Sequence, residues 1–146
     1  MPPAMDLNWL AISAAVVANV AIGFLWYGPL LGHAWLKEMG VAPDFKPEPV
    51  LLKRSMLLMI VSAFLTALIL SCAIEVCRPS TWGSGEDAPP AMVGLITALA
   101  VWIGFYLPML LGSVAWENRS WKLFGINAGY HLAALLAAGM ILAHWR

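Results

Sequence analysis

In "GINAGYHL" Asn127 and His131 stand four residues apart, and in "IVSAFLTAL" Ser62 and Thr66 do the same. A spacing of four puts both members of a pair on one face of a helix. Asn19, in "VVANVAIG", is a further polar side chain inside an apolar run. Amide and hydroxyl groups can donate and accept hydrogen bonds, and an imidazole can also exchange a proton near neutral pH. Three chemistries are therefore open to Asn19, Ser62, Thr66, Asn127 and His131. They are hydrogen-bonding glue between helices, worth about 0.6–2 kcal/mol per bond, a proton relay or ligand site centred on His131, or axial ligation of a haem- or chlorophyll-like ring by His131. No residue near His131 calls for a ring cofactor, and no cofactor is expected. The chain has no Cys/His metal spacing, no phosphate-binding glycine loop after a strand, and no nucleophile–base–acid set. No metal site, catalytic residue or enzymatic activity is expected from it.

The elements that carry these residues follow from composition. Of 146 residues, 62% are hydrophobic, 11% are charged and eight are tryptophan, a balance that a water-soluble domain rarely has. A helix needs about 20 apolar residues to cross a bilayer. Four stretches qualify: 9–27, 55–74, 93–112 and 123–143, none with Asp, Glu, Lys or Arg. Their apolar residues do not alternate with polar ones as barrel strands would, and a helix satisfies its own backbone in lipid. The expectation is an all-α integral membrane protein, a single four-helix transmembrane domain over 1–146. "MPPAMD" lacks the basic residues of a signal peptide, so the first span reads as a permanent helix.

Between the spans, "GHAWLKEMG" reads as a short helix over 33–40 lying in the interface, stopped by Gly40. "VAPDFKPEP" reads as an extended connector and "RPSTWGSGEDAPP" as a flexible loop. "ENRS" is tight enough to make its flanking helices an antiparallel hairpin. Pro108 should kink the third span. Trp9, Trp26, Trp35, Trp116, Trp121 and Trp145 lie near span ends and read as an aromatic belt of interfacial anchors. Cys72 and Cys77 point in different directions on one helix and are expected to stay unbridged. Glu75 reads as a solvated carboxylate facing Arg78.

Orientation follows from Lys and Arg. Lys37, Lys46, Lys53, Arg54, Arg119 and Lys122 fall in the first and third loops, against Arg78 and Arg146 on the other side. Short cytoplasmic loops carry the basic excess, so both termini are expected outside, which is periplasmic if the membrane is a bacterial inner membrane. Topology accounts for these basic residues, and nucleic-acid binding is not expected.

An internal repeat is also visible. "GFLWYGPLLGHAW" and "GFYLPMLLGSVAW" share Gly, Phe, Leu, Ala and Trp, and Arg54, Ser55, Leu58, Ala63 and Leu70 match Arg119, Ser120, Leu123, Ala128 and Leu135. The same match lays Ser62 and Thr66 on Asn127 and His131. The reading is two duplicated helical hairpins, with chance similarity of apolar helices as the alternative.

"NWLAI", "GFLWYGPL", "AWLKEMG" and "WKLFGINAGYHL" resemble the bacterial membrane family called domain of unknown function 1761. The resemblance covers nearly the whole chain and implies a small four-helix integral membrane protein. It brings no activity and no residue roles with it.

Stripes of small residues complete the picture: Ala11, Ala15, Asn19 and Gly23 on the first span, and Asn127, His131, Ala134 and Ala138 on the fourth. Such stripes let helix backbones approach closely. At 1.5 Å per residue, Asn19 and His131 both lie roughly 12 Å deep, so antiparallel helices would let them meet. Two function classes remain. One is an accessory or scaffold subunit that packs against itself, as a homo-oligomer, or against a larger membrane complex in the lipid bilayer. The other is a small-molecule or proton-linked transporter or channel formed by an oligomer. The scaffold requires the polar faces to be used up in dry helix contacts, whereas the transporter requires them to converge on a cavity. The scaffold is favoured because no charged residue lies at mid-membrane.

Overall fold

The computed structural model describes residues 5–145, and Arg146, counted above among the basic residues, lies outside them. Helix α1, Trp9–Leu25, begins at Asn8, whose side chain accepts the backbone N–H groups of Leu10 and Ala11. That cap satisfies donors that a helix start would otherwise leave orphaned. α1 runs into a kinked π-type turn, Trp26–Leu30, where Gly28 leaves helical geometry at φ −107°, ψ −107°, and the short helix α2, Gly32–Glu38, follows. Gly40, at φ +70°, follows α2 in the left-handed conformation that lets Val41 N–H reach back to the Leu36 carbonyl.

Next come α3, Pro49–Val76, and a 3-10 turn, Pro79–Trp82. α4, Pro90–Val101, continues through a second π turn, Trp102–Tyr106, into α5, Leu107–Glu117. Asn118, at φ 54°, makes the tight reversal into α6, Trp121–His144, which Ser120 caps by accepting the N–H of Leu123. Four of these helical stretches, Trp9–Leu30, Pro49–Val76, Pro90–Trp116 and Trp121–His144, are long and apolar enough to cross a membrane. The chain is an all-helical membrane protein.

The kink expected at Pro108 takes the form of the π turn just before it. Proline has no N–H to give to the preceding turn, and a π register absorbs the mismatch without leaving the helix. Pro29 sits inside the first π turn, where Leu31 N–H reaches the Trp26 carbonyl at 2.9 Å. The sequence match of the two hairpins does not superimpose these turns, since gap-free pairing sets Trp26 against Leu107, not Trp102. Packing differs between the hairpins as well. α6 packs extensively on both α1 and α4, whereas α3 meets α4 over a much smaller area.

Both ends of the bundle are tied by polar contacts. At one end, Glu38 of α2 accepts a hydrogen bond from Ser120 and pairs with Lys122 at 3.7 Å, which brings the first and third loops together. At the other, Arg78 donates to the Ala143 carbonyl at 2.7 Å and lies 3.5 Å from Glu75 and 3.6 Å from Asp87. Glu75 is therefore not the solvated carboxylate expected of it: it and Arg78 are each only 5% exposed. The 3-10 turn folds the second loop back over them, and Ser80 holds Asp87 in place through two hydrogen bonds.

Packing is tightest in the half nearest Arg78. Buried residues there include Ala11, Ile12 and Ala15 of α1, Leu70 and Ile74 of α3, and Ala98 of α4. α4 and α6 cross at Gly94 and Gly139, where a Cβ on Gly94 would stand 2.5 Å from the Gly139 carbonyl oxygen. Only hydrogen side chains allow two backbones this close. Toward the Lys/Arg-rich end burial is thinner, and α5 has no buried residue.

Candidate functional site

Midway along the bundle the helices border a partly open cavity of about 220 Å³. Asn19 reaches it from α1, Ser62 and Thr66 from α3, Tyr106 from the second π turn, and Tyr130 and His131 from α6. Asn127, one turn before His131, lines an adjoining pocket of about 470 Å³ on the side of Trp35 and Met39. Tyr27 and His131 border both spaces. All five polar residues singled out from the sequence thus gather around two adjoining compartments in one part of the structure.

Their partners are tyrosines, which the sequence reading passed over. Tyr130 donates to Asn19 Oδ1 at 2.8 Å, and Tyr27 donates to Asn127 Oδ1 at 2.8 Å. Thr66 and Tyr106 share a hydrogen bond of 3.2 Å. The protein has three tyrosines, and each makes one of these links between helices. The expected meeting of Asn19 with His131 is made instead by the neighbouring Tyr130. His131 lies with its ring centroid 4.6 Å from that of Tyr106 and 4.9 Å from that of Tyr130. A sequence signal did exist, since all three tyrosines lie in apolar runs with a phenol to satisfy, and a buried Tyr O–H usually finds a partner.

Helical register explains the convergence. Tyr130 and His131 are adjacent on α6, so their side chains diverge by about 100°, one toward α1 and the other toward the second π turn. Ala63 and Ala67, beside Ser62 and Thr66, are buried and bring α3 close. Gly23 leaves room for the Tyr130 hydroxyl, which a Cβ there would meet at 3.4 Å.

The tryptophans divide into two groups. Trp9, Trp116, Trp121 and Trp145 are exposed near helix ends, Trp116 at 91%, while Trp35 packs edge-on against Tyr27 at 5.6 Å. Trp26 departs from the anchor role expected of it. Its indole N–H donates to the Ile126 carbonyl at 2.9 Å, and its ring lies against Gly129, where a Cβ would stand 2.9 Å from it. Trp102, which was not singled out, does the same from the opposite side by donating to the Ala128 carbonyl at 2.9 Å. Each of these two tryptophans opens a π turn. The turn presents an indole to α6, and the two rings grip it just before Tyr130 and His131.

Cys72 and Cys77 are both free. Among the described residues, no three His, Cys, Asp or Glu side chains gather as a group able to hold a metal. The cavity therefore offers hydrogen bonding, aromatic surface and one imidazole, without formal charge.

Comparison with known proteins gives one match: the family described as "Protein of unknown function (DUF1761)" matches residues 10–143. No curated protein and no solved structure matches the chain.

Proposed function

We propose that this chain, which belongs to the DUF1761 family, binds a small molecule within the bilayer and acts in transport, as a homo-oligomer. The observation that carries the reading is the convergence of Asn19, Ser62, Thr66 and His131 on one cavity, with Asn127 beside it. A scaffold would use up its polar side chains in dry helix contacts. Here the asparagines and tyrosines do bond across helices, but around an open space. Sites of this kind, between helices near the midplane, are where transporters hold their cargo.

The shape supports the same reading. The main buried core lies toward Arg78, whereas α5, toward the Lys/Arg-rich end, has no buried residue, and there the cavity meets the pocket beside Trp35 and Met39. Under the positive-inside rule that side is cytoplasmic, and both termini are then periplasmic in a bacterial inner membrane. A second copy would cover α5, which has no buried residue. The same bare face also supports the accessory-subunit reading, with a larger membrane complex in place of the second copy.

Native mass spectrometry of the protein, gently extracted from its own membrane, separates these readings. A homo-oligomer carrying a small molecule at fixed stoichiometry is the expected result. Fixed-stoichiometry association with a larger complex, with no small molecule bound, would overturn it in favour of an accessory subunit.

A further inference from the structure

We propose that the 220 Å³ cavity is a binding site for an uncharged single-ring molecule carrying a hydroxyl or carbonyl group, held by that group between Ser62 and His131. The inference rests on the small-molecule reading above and specifies the class of ligand.

Hydrogen-bond accounting points to these two residues. Around the cavity Asn19 is engaged by Tyr130, Thr66 by Tyr106, and, next door, Asn127 by Tyr27. Among the described residues, the His131 imidazole makes ring contacts but no hydrogen bond, and Ser62 makes none either. Polar groups left unsatisfied at bilayer depth are costly. A neutral imidazole offers one donor and one acceptor, and a serine hydroxyl offers both. One hydroxyl or carbonyl placed between α3 and α6 would serve both residues together.

Size and surface narrow the ligand further. An apolar cavity of about 150 Å³ holds benzene, so this one suits a single ring with one or two substituents. Tyr27 and Tyr130 present rings 5.1 Å apart, centroid to centroid, Tyr106 also lines the cavity, and an aromatic ligand can stack offset or edge-on against such walls. No Asp, Glu, Lys or Arg lines the cavity, so an ionised ligand would enter without a counter-charge. Ser62 is exposed on the surface of α3, at the edge of the cavity, where a lipid-soluble ring arriving from the bilayer would first meet a polar group.

The test uses the full chain in lipid nanodiscs with 13C-labelled histidine. The protein has three histidines, so His33 and His144 report non-specific partitioning while His131 reports the cavity. Titration with 4-methylphenol is expected to shift the His131 resonance saturably at one equivalent, leaving His33 and His144 unmoved. Toluene, which has the ring without the hydroxyl, should bind at least tenfold more weakly, and 4-methylbenzoate should not bind. Ser62→Ala should weaken 4-methylphenol at least tenfold without altering the free-protein spectrum elsewhere. An unmoved His131 resonance, or equal binding of toluene and 4-methylphenol, would overturn the proposal, as would indifference to Ser62→Ala. A charged or multi-ring molecule found in the cavity by native mass spectrometry overturns this ligand class but leaves the small-molecule reading standing. A partner subunit bound with no small molecule present removes both.

Discussion

Tyr130 spans the gap from α6 to Asn19 on α1, and Tyr27 spans the reverse gap to Asn127. In lipid such bonds are worth about 0.6–2 kcal/mol each, because unfolded helices also find other partners. Replacing Tyr130 by Phe, Asn19 by Leu, and both together forms a double-mutant cycle that isolates this bond. Unfolding in mixed micelles should give a coupling of about 1 kcal/mol, and additive single effects would mean that the bond contributes nothing. The asparagines and His131 stood out in the sequence because they are polar residues in apolar runs. The tyrosines did not, because a phenol is half apolar and passes for a membrane residue. Trp26 was misjudged for a similar reason: its place near a span end marks an anchor only if the indole faces outward, and the π turn directs it onto α6.

Two close approaches hold the elements together, and each gives a prediction. At Gly94 and Gly139 the α4 and α6 backbones touch, so a methyl group on either must push the helices apart. Gly139→Ala should destabilise the protein by about 1–3 kcal/mol, the usual cost of overpacking. Gly125→Ala, where a Cβ has open space around it, serves as the control, and thermal denaturation in detergent compares them. At the other contact, Arg78 bonds the Ala143 carbonyl and is flanked by Glu75 and Asp87. Removing the cation leaves a carboxylate buried without it, which costs about 3–5 kcal/mol. Arg78→Met should therefore be strongly destabilising, and adding Glu75→Met should restore part of the loss. A double variant no more stable than Arg78→Met would show that the Ala143 bond, and not the ion pair, is what matters.

At the scale of the whole molecule, Glu38, Ser120 and Lys122 bring the first and third loops to one end, while Arg78 and Ala143 meet at the other. The basic loops therefore share a side, as the positive-inside reading needs. Arg78 is consumed in a buried cluster and leaves that end with even less free positive charge. A periplasm-dependent phosphatase fused after Trp145 should be active, and one inserted at Asp44 inactive; the reverse pattern would invert the topology. The buried core toward Arg78 and the unburied α5 toward the other end give the bundle a direction that helix lengths alone do not imply.

Sequence alone determined the membrane character, the helical class and the family, because twenty-residue apolar runs have one common solution in lipid: a helix that satisfies its own backbone. It also placed the polar residues on the right helices, since register follows from a period of 3.6 residues. The cavity, the tyrosine bridges and the inward turn of Trp26 and Trp102 were decided by the tertiary structure. Each depends on the distance and rotation between helices, set by contacts such as Gly94 against Gly139. When all faces are apolar, helical periodicity carries almost no information about which face meets which neighbour.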